Sequence, residues 1–134
     1  MFETILFPID QSRESREAAE VVLQLAKFHQ SQRIILLSVI EDPANPQGQG
    51  TVSEAQVTEL LSSAQALFTQ QGLPVETSTR SGKPAFVICD VADEIGAKVI
   101  VMGCRGVGLT EEGMADSVTN RVINLAPCPV LIVP

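Results

Sequence analysis

Continuous apolar runs and helically spaced apolar residues alternate along this chain, and the alternation predicts its elements. Thr4-Ile5-Leu6-Phe7-Pro8-Ile9-Asp10 reads as a first strand, in which Pro8 must sit near the end, where no ladder donor is needed. Arg33-Ile34-Ile35-Leu36-Leu37-Ser38-Val39-Ile40 reads as a second strand, and Val99-Ile100-Val101-Met102 as a strand buried on both faces. Val130-Leu131-Ile132-Val133 is another apolar strand. Residues 75–80 alternate only weakly and fit an edge strand.

The intervening segments carry the helical period. From Ser12 to about His29, Ala18, Ala19, Val22, Leu25 and Ala26 fall on one face. Ser53-Glu54-Ala55-Gln56 has a capping-box signature, and the helix after it sets Val57, Leu60, Leu61, Ala64, Leu67 and Phe68 on one side before Gly72 and Pro74 end it. A third helix has Pro84 near its first position and Gly96 past its last, with Val87, Ile88, Val91, Ala92 and Ile95 as its apolar positions. In Asp116-Ser117-Val118-Thr119 the preferred N-cap residues Asp and Ser mark a helix start. That helix places Val118, Val122 and Ile123 on one side until Pro127 stops it.

Five strands alternating with four helices make a three-layer αβα sandwich on a parallel sheet, and residues 1–134 read as one domain. There is no internal repeat and no low-complexity tract. The pattern leaves the strand order open among several doubly wound sheets. Residues 41–52, with Pro43, Pro46, Gly48 and Gly50, break the alternation and are expected to form a mobile loop rather than a domain linker.

The chemistry gathers in the last third. Gly103-Cys104-Arg105-Gly106 directly follows a buried strand, and its two glycines let the backbone turn sharply and approach a bound group. Unpaired N–H groups of the loop and of the next helix's first turn, with the helix dipole, favour an anion there. Arg105 adds a cation, and Ser117 and Thr119 add hydroxyls.

The spacing Gly103-x-x-Gly106, nine residues, then Asp116-Ser117-x-Thr119 resembles the phosphate-binding motif of the universal stress protein family. The likeness extends to the Ile5-Leu6-Phe7-Pro8-Ile9-Asp10 opening, Ser12, the Gly82-Lys83-Pro84 turn and the ending Ala126-Pro127-Cys128-Pro129-Val130-Leu131-Ile132-Val133, and so covers nearly the whole chain. It implies an adenine nucleotide alpha hydrolase-like fold with strand order 3-2-1-4-5, whose switch point lies between strands 1 and 4, where open α/β sheets bind ligands. It also implies an adenine nucleotide ligand (ATP, ADP or AMP), with or without Mg2+. On that resemblance Asp10, beside Pro8 and Ile9, would hydrogen-bond the ribose or base, and the Val39 backbone would read an adenine edge. Gly103, Arg105 and Gly106, next to Met102, would approach the phosphates, and Ser117, Val118 and Thr119 would supply further donors. Each residue also has a plainer reading. Asp10 can be a turn residue at a strand end, Arg105 a solvated cation, Gly103 and Gly106 turn glycines, and Ser117 and Thr119 ordinary first-turn residues.

Asp116 departs from the family pattern, standing where nucleotide-binding members have a glycine before the Ser. A carboxylate at the mouth of a phosphate site brings a like charge worth about 1–4 kcal/mol at 4 Å between near-water and surface-like dielectric. Such a site would prefer AMP or ADP over ATP, or recruit a divalent cation through Asp116. Alternatively, Asp116 is only the helix N-cap and points away.

Composition narrows the partners. The net charge of −7, with no Lys/Arg cluster, repels nucleic-acid phosphates and anionic membranes, so neither is an expected partner. No apolar run is long enough to span a bilayer, and no secretory signal is read at the start, so a cytoplasmic location is expected. Three cysteines without CxxC spacing suggest neither a disulfide framework nor a zinc site; Cys104 alone falls in the proposed site. No Walker A sequence occurs, and no catalytic arrangement assembles around the single histidine, His29, which leaves catalysis beyond slow hydrolysis of bound ATP without support. The apolar edge strand at 130–133 invites pairing with a second copy, and the resemblance also implies a homodimer through it. The functional expectation is a nucleotide-binding sensor or regulator in stress response, with an as yet unknown regulatory protein partner. The alternative is a nucleotide-independent interaction module of the same fold.

Overall fold

A computed structural model describes residues 2–10, 13–40, 54–103 and 118–134. Among these the elements run β1 (Thr4–Pro8), α1 (Arg13–His29), β2 (Arg33–Ile40), α2 (Glu54–Gln70), β3 (Val75–Ser81), α3 (Pro84–Ile95), β4 (Val99–Gly103), α4 (Val118–Leu125) and β5 (Val130–Val133). The strands form one parallel sheet of order β3-β2-β1-β4-β5, which settles the order that the apolar pattern left open.

The period of two along each strand divides the core between the two faces of the sheet. Ile5, Phe7, Ile34, Leu36, Val99 and Val101 turn to α1 and α2, whereas Leu6, Ile35, Leu37, Ile100 and Met102 turn to α3 and α4. Central strand β1 has Ile5, Leu6 and Phe7 wholly buried. Each such side chain contributes about 1.5–3 kcal/mol on leaving water. With neither Trp nor Tyr available, aromatic packing in the core rests on Phe7 and Phe68, whose rings meet edge to face at 6.4 Å. Phe28, by contrast, is 83% exposed.

The helix faces depart from the predicted ones in two places. On α2, Val57, Leu61 and Phe68 are buried and Leu60 and Ala64 are half-buried, but Leu67 is 39% exposed. The helix packs on β2 and β3, with Val57, Leu61 and Phe68 in the core of that side. On α4, Val122 is buried and Val118 half-buried, whereas Ile123 is 52% exposed. Val118 and Val122 are one helical turn apart, while Ile123 lies about 100° further round, and the helix packs on α3 through a single stripe.

Two glycine turns set the top and bottom of α3. Gly82, at φ 139°, donates its N–H to the Ile40 carbonyl at 2.9 Å and turns the chain into Pro84. Gly96 ends the helix in the left-handed region at φ 64°. No helix among the described residues is long and apolar enough to cross a membrane.

Candidate functional site

The sheet opens where its central strands change direction of connection. β1 stays paired with β2 as far as Pro8↔Leu37, and the Ile9 N–H still donates to the Leu37 carbonyl at 2.8 Å. With β4 it shares Ile5↔Val99 and Leu6↔Ile100. The carboxyl ends of β1 and β4 form the switch point of the sheet order, the place where open α/β sheets have their ligand crevice. Pro8 falls at the last paired position of β1, as its missing donor requires.

Several of the predicted residues meet at this crevice. Asp10 is exposed at the end of β1, and its backbone N–H donates to the Ser15 Oγ at 3.1 Å. Ser15 is buried in the first turns of α1, so this bond fixes the turn from which the Asp10 carboxylate projects. Because the Leu37 carbonyl faces β1, the two-residue alternation of a strand turns the Val39 backbone the same way, past the end of β1. The Val39 side chain packs on the α3/α4 side, as does Met102. Ile9 belongs to the α1/α2 core instead.

The opposite wall is the junction of β4 with α4. The Thr119 Oγ1 donates to the Gly103 carbonyl at 3.2 Å. The first turn of α4, with Val118 and Thr119, is thereby tied to the carboxyl end of β4, and its N-terminal donors lie beside the crevice. Arg105, Gly106, Asp116 and Ser117 lie outside the described residues, as do Ser12, Cys104, Ser53 and the 41–52 segment.

A cavity of about 750 Å³ adjoins the crevice on the α1/α2 side, within the range of about 300–1,000 Å³ usual for small-molecule sites. Phe7, Ile9 and Ala19 form its floor, and Leu60, Ala64 and Leu67 its apolar wall. Asp10, Arg16, Glu59 and Ser63 stand among its polar positions. The α2 wall was not anticipated from sequence. Its signal was a surplus: six apolar positions were assigned to one face of α2, and only Val57, Leu61 and Phe68 are buried. Ser15 had no signal, since a serine in a first helical turn is ordinary.

The resolved shifts in proton affinity lie elsewhere. Burial pushes the Cys89 and Cys128 thiols up, and hydrogen bonds from Arg33 and Arg80 hold Glu76 and Glu94 below the usual carboxylate range. Among the described residues no group of three or more His, Cys, Asp or Glu side chains could hold a metal ion.

Known proteins share this architecture. The universal stress protein family matches residues 1–134. Universal stress protein Sll1654 of Synechocystis is 60% identical over 139 residues, covering 100% of this chain and 87% of that protein. A solved universal stress protein in complex with cAMP superposes with a TM-score of 0.80 at 22% identity, covering 98% of this chain and 97% of that one. A universal stress protein from Archaeoglobus fulgidus in complex with dAMP gives a TM-score of 0.70 at 23% identity, with 100% of each chain covered. The shared fold is the adenine nucleotide alpha hydrolase-like arrangement.

Proposed function

We propose that this chain, which belongs to the universal stress protein family, binds an adenine nucleotide in the crevice between β1 and β4 and acts as a homodimeric sensor or regulator. The observation that carries the reading is the switch point between β1 and β4 in the order β3-β2-β1-β4-β5, with the first turn of α4 tied to the end of β4 through Thr119 and Gly103. Such a switch point is where open α/β sheets take ligands, and a helix N-terminus at its edge suits a phosphate. Asp10 and the Val39 backbone, on the opposite side, offer polar groups to a ribose or base. Proteins of this fold do take adenine nucleotides, as the cAMP and dAMP complexes attest for those two proteins.

In this reading Arg105, Gly106, Ser117, Val118 and Thr119 hold the phosphates, and Asp116 limits how many are accepted. Its carboxylate would disfavour ATP relative to AMP unless Mg2+ screens the repulsion. Calorimetric titration of nucleotide-free protein with AMP, ADP and ATP, each with and without magnesium, tests this. The expected result is AMP binding that weakens toward ATP, with ATP affinity restored by Asp116→Gly. If none of the three binds at millimolar concentration, the nucleotide reading fails, and a nucleotide-independent interaction module with a regulatory protein partner takes its place.

A further inference from the structure

We infer that Cys89 and Cys128 form a redox-active pair, a modification site at which a peroxide joins α3 to the turn before β5 through a disulfide. The two thiols are far apart in sequence, and the fold brings them together. Both are free and half-buried, and both pack against the apolar cluster that the sheet shares with α3 and α4.

The orientation of α3 turns Cys89 toward Cys128. One flank of that helix faces β3. Glu94 meets Arg80 of β3 at 2.8 Å, and a Cβ at Gly82, just after β3, would come within 2.9 Å of the Val87 Cγ2. At about 100° per residue, Cys89 stands about 160° round from Val87 and about 140° from Glu94. It therefore points away from β3, along the sheet toward β4, β5 and the α4 that α3 packs against.

Cys128 reaches the same place from the other side. It sits in the short turn from α4 to β5, between Pro127 and Pro129, whose rings fix the backbone φ. The Ala126 N–H donates to the Val122 carbonyl at 2.8 Å, and the Ile100 N–H donates to the Pro129 carbonyl at 3.0 Å, so the turn is held at both ends. Burial raises the Cys128 thiol most and the negative charge of Cys89 raises it further, which requires two sulfurs within each other's field. Burial, with the charge of Asp90, raises Cys89 as well. Little thiolate is then present near neutrality, and the pair answers abundant peroxide rather than traces.

The step balances with hydrogen peroxide as the oxidant. One thiolate attacks a peroxide oxygen, the O–O bond breaks, and the departing hydroxide takes up the proton that thiol released. A sulfenic acid and one water result. The second thiolate attacks that sulfur; the S–S bond forms, the S–O bond breaks, and the oxygen leaves as a second water. Two thiols give up two electrons and two protons, and one peroxide becomes two waters.

The test uses the whole wild-type chain, treated with millimolar hydrogen peroxide and digested with trypsin. Lys83 precedes a proline and resists cleavage, so the three cysteines fall on separate peptides, residues 81–98, 99–105 and 122–134. The expected product is peptide 81–98 joined to peptide 122–134 within one chain, separated again by dithiothreitol. Because the link closes a long loop between groups that the fold already brings together, the oxidised protein should melt roughly 5 °C or more above the same sample after dithiothreitol. Intact thiols at both positions, linkage through the Cys104 peptide, a disulfide between two chains, or sulfinic acid at Cys89 or Cys128 without linkage overturns the inference. So does a linked protein that melts no higher than the reduced one, since the pair would then have been pulled together.

Discussion

The Thr119 hydroxyl donates to the Gly103 carbonyl at 3.2 Å, so the segment 104–117 leaves and re-enters the described structure at two points held against each other. One hydrogen bond thus relates the end of β4 to the start of α4, and with it the two halves of the proposed phosphate wall. Thr119→Val keeps the shape of the side chain and removes the donor. Stability should fall by about 0.5–1.5 kcal/mol in urea unfolding, as for loss of a partly buried hydrogen bond. AMP affinity should fall as well, and Thr119→Ser should recover both. A valine variant equal to wild type in both would show that the bond does not position α4.

Gly82 allows a second prediction from local geometry. Its φ of 139° lies where side chains rarely go, and a Cβ built there would come within 2.9 Å of the Val87 Cγ2. Gly82→Ala should therefore cost roughly 1–3 kcal/mol, from backbone strain and contact together. Adding Val87→Ala removes the contact but not the strain, so the double variant should be more stable than the sum of the single losses predicts. Strict additivity would mean that the backbone alone sets the cost.

The edge strand β3 is pinned by two exposed ion pairs whose acids titrate low. Arg33 and Glu76 meet at 2.7 Å across β2 and β3, and Arg80 and Glu94 at 2.8 Å between β3 and α3. In each pair the hydrogen bond to the guanidinium lowers the carboxyl's proton affinity most. A depressed folded-state pKa adds stability above the unfolded-state value of about 4.3, and that stability is lost as pH falls through the lowered one. The double variant Glu76→Gln/Glu94→Gln should be slightly less stable than wild type at neutral pH and equal to it in strong acid. Because both pairs are exposed, molar salt should shrink the difference. A gap between the two proteins that widens on acidification would contradict the assignment.

How much of this was legible beforehand depends on what each pattern encodes. Ile34 to Leu37 and Val99 to Met102 are apolar at every step because each strand is covered on both faces, and for Val99 to Met102 that density marked a doubly buried strand in advance. Strand order leaves no such trace in periodicity, and only the family resemblance supplied it. A helical stripe records which residues avoid water in the finished protein, not what covers them. Leu67 was therefore grouped with Phe68 although it lines a cavity, and Ile123 with Val122 although α4 is covered along one stripe. Asp10, Val39, Gly103 and Thr119 were named from motif spacing, which picks out backbone turns and strand ends, and the fold sets each of them at or beside the carboxyl end of a strand. The α2 wall escaped because a cavity-lining apolar residue and a core residue look alike in sequence. Arg105, Gly106, Asp116 and Ser117 belong to a segment outside the described residues, so their roles rest on the motif.

Homodimer formation through β5 gives the last prediction. β5 is paired on one side with β4, from Ile100↔Val130 to Gly103↔Val133, and no described strand lies beyond it. Val130, Ile132 and Val133 are half-buried against the core and Leu131 is 37% exposed, so the open edge is apolar and carries none of the charged residues that blunt edge strands. A second copy added across a two-fold axis would satisfy the open backbone groups and cover these side chains in one step. Leu131→Lys sets two ammonium groups close together at such an axis and strands both away from water. Wild-type protein should sediment as a dimer and the lysine variant as a monomer. The melting of the variant at low concentration should stay near that of dissociated wild type, since Leu131 is already partly exposed within its own subunit. A lysine variant that remains dimeric would move the interface away from β5, and a monomeric wild type would remove the homodimer altogether.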